Sequence, residues 1–89
     1  MKRQTIQRKF KGIDKTDINQ LIATACNIIR EHHVKHGIGI TDDYYQRGLG
    51  WKLQQDILNR QYFEKPYSLA VDYVESITFD LEAKVKSFN

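Results

Sequence analysis

The residues of this chain best equipped for chemistry are three histidines, one cysteine and a pair of adjacent carboxylates. His32 and His36 stand four apart, so on a helix both imidazoles would point to one side and could grip a metal ion. Such a site needs a third and usually a fourth ligand, which Asp42 or Asp43 would have to fold back to supply. The spacing matches neither a paired Cys-x-x-Cys pattern nor His-Glu-x-x-His. Titratable bases near a helix C-terminus are stabilised there by the helix dipole, which accounts for His32, His33 and His36 more simply. We therefore expect no metal and no cofactor.

The other chemical candidates reduce in the same way. Asp42 and Asp43 are neighbours, so on a helix they point in different directions and do not form an acid–base pair. First-turn dipole stabilisation explains them. Gly48-Leu49-Gly50-Trp51 lacks the preceding strand, and the further glycines or lysine, of a phosphate-binding loop. Small residues beside a tryptophan more simply let two helices approach. Cys26 lies at the edge of an apolar stripe and reads as an inert buried thiol. No arrangement of nucleophile and base can be argued, and the expectation is a protein that is not an enzyme.

Binding features are easier to find. Tyr44, Tyr45, Trp51, Tyr62, Phe63 and Tyr67 crowd the middle of the chain. Their mixture with Arg47, Lys52 and Arg60 has the composition of a protein interface, and loosely that of a stacking surface for single strands. Tyr44, Tyr45, Arg47 and Trp51, with Lys52, Arg60 and Tyr62, are the expected partner-binding residues. The direction in which Trp51 faces is left open. Charge supplies a second set. Lys2, Arg3, Arg8, Lys9 and Lys11 occupy the first twelve residues without a single acid, whereas the rest of the chain holds nine Lys or Arg against eleven Asp or Glu. The whole positive excess of the +3 chain thus sits at its start. These five are the candidate contacts to nucleic-acid phosphates, which would bind in a salt-sensitive way without sequence preference.

The elements that must position these groups follow from periodicity. Ile18, Leu21, Ile22, Ala25, Ile28 and Ile29 recur at helical spacing, with Thr16 as the expected N-cap and Gly37 as terminator, which predicts a helix over 17–36. Thr41 reads as a second N-cap, before Tyr45, Leu49, Leu53 and Ile57 at steps of four. Gly48 and Gly50 interrupt that run, leaving one continuous helix, which we favour, or a helix corner within 42–60. Pro66 suits the first turn of a last helix over 67–87, along which Ala70, Val74, Ile77, Leu81, Val85 and Phe88 keep helical spacing. The alternation of Ile77, Phe79, Leu81, Ala83 and Val85 supports a competing strand over 76–86, which would make the domain α+β. Residues 1–12 hold few apolar groups and read as a basic arm or short strand, with a short helix carrying Ile6 and Phe10 on one side as the alternative.

The expected architecture is therefore mainly α: a small three-helix domain over 13–89 behind a basic N-terminal arm over 1–12. Eighty-nine residues suffice for one domain with a modest core, to which a homodimer interface could add. One cysteine permits no intramolecular disulfide and suits a reducing compartment. Met1-Lys2-Arg3 is followed by no apolar h-region, and no run approaches 18 apolar residues, so neither a secretory leader nor a membrane span is expected. A cytoplasmic location follows. The expected function is a small protein-binding module, an adaptor or inhibitor of the kind common in phages and mobile elements. The alternative is a nucleic-acid-binding protein that uses the arm and the helix corner at 42–60.

Overall fold

The computed structural model describes residues 1–38, 40–60 and 63–88, with side chains to residue 82. The fold is mainly α and has no strand among the described residues. Helix α1 spans Arg3–Lys9, α2 Ile18–Lys35, α3 Gly50–Arg60 and α4 Pro66–Phe88, and a π-helical segment over Tyr44–Leu49 runs directly into α3. The most extensive packing is between α2 and α4. No described helix is long and apolar enough to cross a membrane.

The start of the chain departs from expectation. Residues 3–9 are neither extended nor a strand but a helix laid against α4 and α2. Ile6 is fully buried and Phe10 nearly so, because four-residue spacing places both on one side. Phe10 meets the edge of the Tyr67 ring at 5.9 Å. Arg3 is ion-paired with Asp72 on α4, and Lys9 approaches Glu31 on α2 at 3.6 Å. Four helices therefore replace the three expected. The helix closes through i→i+3 bonds into a turn at Gly12, whose φ of +86° is a left-handed conformation favouring glycine.

The caps of α2 come out one residue late at the start and as expected at the end. Asp17, not Thr16, is the N-cap, and its carboxylate accepts from the Gln20 amide at 3.1 Å. Thr16 instead donates from its amide and its hydroxyl to Asp14, at 2.9 and 2.7 Å. At the far end Gly37 adopts φ +72°, its amide bonds to Val34 and the next amide, of Ile38, reaches back to His33 at 2.9 Å. This double return bond is the Schellman closure that glycine permits.

The run through 44–60 is continuous, so the helix-corner alternative is not what forms. It holds together by widening: the amide of Gly50 bonds to the carbonyl of Tyr45, five residues back. A Cβ on Gly50 would lie 3.2 Å from that carbonyl oxygen and 3.6 Å from the Cys26 sulfur, so this glycine serves close approach to α2. Gly48 meets only the Tyr44 ring, at 3.8 Å. The two glycines should therefore respond oppositely to substitution. Gly48→Ala is expected to stabilise by up to about 1 kcal/mol through helix propensity. Gly50→Val is expected to cost about 1–3 kcal/mol through overpacking. Urea denaturation of the two variants checks this, and effects of the same sign would contradict it.

The last helix settles the strand ambiguity in favour of helix. Leu69, Ala70, Val71, Val74 and Thr78 are buried on one side, while Phe79 is 67% exposed, so the alternating pattern does not describe a face. Buried Thr78 returns its hydroxyl to the Val74 carbonyl at 2.8 Å. Pro66 occupies the first turn as expected.

Candidate functional site

A groove of about 560 Å³ lies between α2 and the π–α3 run. Its α2 wall comes from two rows at four-residue spacing, Ile22-Cys26-Arg30 and Asn19-Ala23-Asn27. Ala23 is exposed and small, so it leaves the wall open to approach. The opposite wall is Tyr45, Gln46 and Gly50, with Trp51, Arg47 and Gln54 at the rim. A groove of this size lies within the usual range of ligand and peptide pockets.

Trp51 stands 58% exposed on that rim, which answers the question of its direction. The reason is local: Leu49 and Leu53 point into the core, and a residue two positions from each lies roughly opposite them on a helix. Leu58, 45% exposed, is seven residues on from Trp51 and extends the same face of α3. Tyr44 and Arg47 are exposed alongside, and Lys52 and Arg60 are exposed further along α3. Tyr45 differs from expectation. It is 2% exposed, because it belongs to the four-spaced core stripe, and its contribution is a wall rather than a reachable side chain. Tyr62 lies outside the described residues.

Tyr45 is the hub that fixes this wall. Its hydroxyl and His33 Nδ1 share a buried hydrogen bond of 2.6 Å. Its carbonyl also accepts from the Cys26 thiol at 3.1 Å. The Arg30 guanidinium lies 5.0 Å from its ring centroid and pairs with Asp42 at 2.8 Å. Burial pushes the Cys26 thiol pKa above its ordinary value, only partly offset by Arg30, so the group stays protonated and is a poor nucleophile. Arg30, which also lines the groove, has its Nε buried with no hydrogen-bond partner among the described residues.

The histidine cluster is structural in form. His32 and His36 meet edge to face with centroids 4.5 Å apart, and His33 is taken by Tyr45. No group of three or more His, Cys, Asp or Glu among the described residues is placed to hold a metal ion. Burial lowers the pKa of both His32 and His33, and the neighbouring His36 lowers both further. Both are thus held as neutral imidazoles, with Glu82, 3.4 Å from His32, opposing the effect there.

The five N-terminal cations are divided by the fold. Arg3 pairs with Asp72, and Lys2 lines the same depression, beside Asp72, Glu75 and Asp80. Lys9 faces Glu31. Arg8 and Lys11 turn elsewhere, into a second concavity that also takes in Lys15. The structure therefore does not bring the five together.

Four residues that the sequence did not single out are the groove amides Asn19, Asn27, Gln46 and Gln54. The signal for two of them was present, since Asn19 and Asn27 continue one row of α2 beside the apolar stripe. Compared with known protein families, curated proteins and solved structures, the chain matches none.

Proposed function

We propose that this chain is a non-enzymatic protein-binding module, an adaptor or inhibitor, whose groove between α2 and α3 receives a peptide segment of its partner. The observation that carries this reading is Trp51, 58% exposed at the rim of a groove floored by Ile22, Cys26 and Gly50. Tryptophan is among the residue types most enriched at energetic hot spots, which cluster where a side chain meets a pocket that excludes water. The four amides add the second half of the argument. Asn and Gln both donate and accept, which complements a peptide main chain better than it does a charged ligand. The single cysteine of the chain suits a reducing compartment such as the cytoplasm.

Selection of a displayed random-peptide library on the protein tests this directly. Enriched peptides should share an apolar anchor and shift the amide resonances of residues 19–30 and 45–54. Trp51→Ala should weaken their binding by about 30-fold, the scale of a lost hot spot, while leaving thermal stability nearly unchanged because the side chain is exposed. Enriched peptides that bind Trp51→Ala as well as the parent would defeat the reading.

A further inference from the structure

We infer that the concavity beside the α1–α2 turn is a second binding site, one that takes the phosphate backbone of a nucleic acid through Arg8, Lys11 and Lys15. It shares no residue with the groove of α2 and α3.

The inference rests on how the fold sorts charge. Of the five cations at the start of the chain, Arg3 and Lys9 are ion-paired across to α4 and α2, and Lys2 sits among acids. Arg8 and Lys11 make no ion pair among the described residues, nor does Lys15. All three are exposed and line one concavity of about 610 Å³. No carboxylate is among the described residues lining it. The connector carries two acids, Asp14 and Asp17, but both carboxylates are turned back into the chain, one to Thr16 and one to the Gln20 amide. Both stay ionised but lie outside the lining, so the groups that face into the concavity carry positive charge alone.

Spacing and stiffness fit a row of phosphates. The Lys11 amide bonds to the Arg8 carbonyl at 3.1 Å, so the tight turn that closes α1 keeps these two residues close together. Lys15 is held over the Tyr67 ring at 4.8 Å, which limits its freedom and keeps its ammonium at the rim. Gln4, one turn before Arg8, and Gln7 add neutral donors on the same wall. Contacts of this kind set affinity without reading bases.

A nucleic acid fits better than an anionic membrane. Membrane-surface segments present protruding apolar side chains to insert, whereas this site is concave and its apolar members are withdrawn. Phe10 is 3% exposed, and Ile13 and Tyr67 are half-buried. Of the large apolar side chains that are exposed, Trp51, Leu58, Phe63 and Phe79 among them, none lines it.

Fluorescence anisotropy with a 20-base-pair duplex and a 20-nucleotide single strand, titrated from about 50 to 200 mM salt, tests the proposal. Three phosphate contacts predict a fall in duplex affinity of about 40-fold over that range, with a shallower fall for the single strand. Arg8→Gln, Lys11→Gln and Lys15→Gln together should remove most of the affinity and most of the salt slope, with an unchanged circular dichroism spectrum and melting temperature. Trp51→Ala should leave binding intact, which separates this site from the groove. Undetectable binding of both oligonucleotides at 50 mM salt would overturn the proposal. So would binding that survives the triple substitution, or equal binding to vesicles rich in phosphatidylserine or to polyglutamate.

Discussion

Removal of residues 2–11 is expected to unfold the domain, or to lower its melting temperature by more than about 15 °C, rather than to trim a tail. Ile6 is fully buried and Phe10 is 3% exposed, and deletion of side chains of this size from a core costs about 2–5 kcal/mol each. A domain of this length is typically stable by about 4–13 kcal/mol in total, so two such losses approach the whole. The deletion also bares the apolar surface of α4 and α2 that α1 covers. A single substitution, Ile6→Ala, should cost about 2–4 kcal/mol. Thermal melts followed by circular dichroism give the answer. A truncated chain melting within a few degrees of the intact one would show that α1 is not part of the core. The result matters for function as well, because an N-terminal truncation cannot test the role of the basic residues, whereas substitution at exposed Arg8, Lys11 and Lys15 can.

Acid should weaken the fold well before its carboxylates titrate. His32 and His33 have folded-state pKa values below the ordinary 6.5, chiefly because burial disfavours the charged ring. Between the folded values and 6.5 the unfolded chain therefore binds more protons than the folded one. Stability from this source is complete above about pH 6.5 and is lost as pH falls below it, by up to about 1.4 kcal/mol per pH unit for each histidine. His33 should show the cleaner effect. It faces the Tyr45 hydroxyl, the Tyr44 ring and His36, whereas His32 also has the Glu82 carboxylate nearby to offset its loss. His33→Leu should remove up to half of the pH dependence. Tyr45→Phe should cost about 1–3 kcal/mol at pH 7.5 by leaving His33 Nδ1 buried without its partner. Urea denaturation at intervals between pH 7.5 and 5 measures both. Stability that stays flat across that range would refute the assignment of neutral, buried imidazoles.

The parts of this fold that were legible in the sequence are those whose cause is local. Helix α2 announces itself through six apolar positions and Gly37, and α4 through a stripe long enough to outvote the strand pattern. Helix α1 could not be read with the same security. Seven residues are too few to be helical alone, and what fixes them is distant: Asp72 and Glu75 on α4, Glu31 on α2, and the pocket that accepts Ile6. The site was legible in part. Residue type alone points to Trp51, Tyr44 and Arg47, which do lie at or beside the groove, whereas Tyr45 fits a binding face and the core stripe at once. Only one assignment could hold, and burial favoured the stripe. Asn19 and Asn27 share a row of α2, but Asn and Gln carry no charge, and on that row alone they read as an ordinary solvated face. It takes the second wall to make them a set.

The π turn bears on how such a groove could diversify. Side chains four apart on an ordinary helix drift by about 40° at each step, so Tyr45, Leu49, Leu53 and Ile57 could not all keep one heading over twelve residues. The wider turn at 44–49 takes up that drift, and it does so by holding one residue more than an ordinary turn requires. Leu53 and Ile57 anchor α3, whereas the orientation of the Tyr45 wall against the Trp51 rim depends on chain length between them. Loss of a single codon there would rewind the segment into a regular helix and swing one wall by roughly a quarter turn relative to the other. A one-residue change at this turn would therefore re-aim the Tyr45 wall at the expense of its buried bond to His33, while Leu53 and Ile57 keep the rest of α3 anchored.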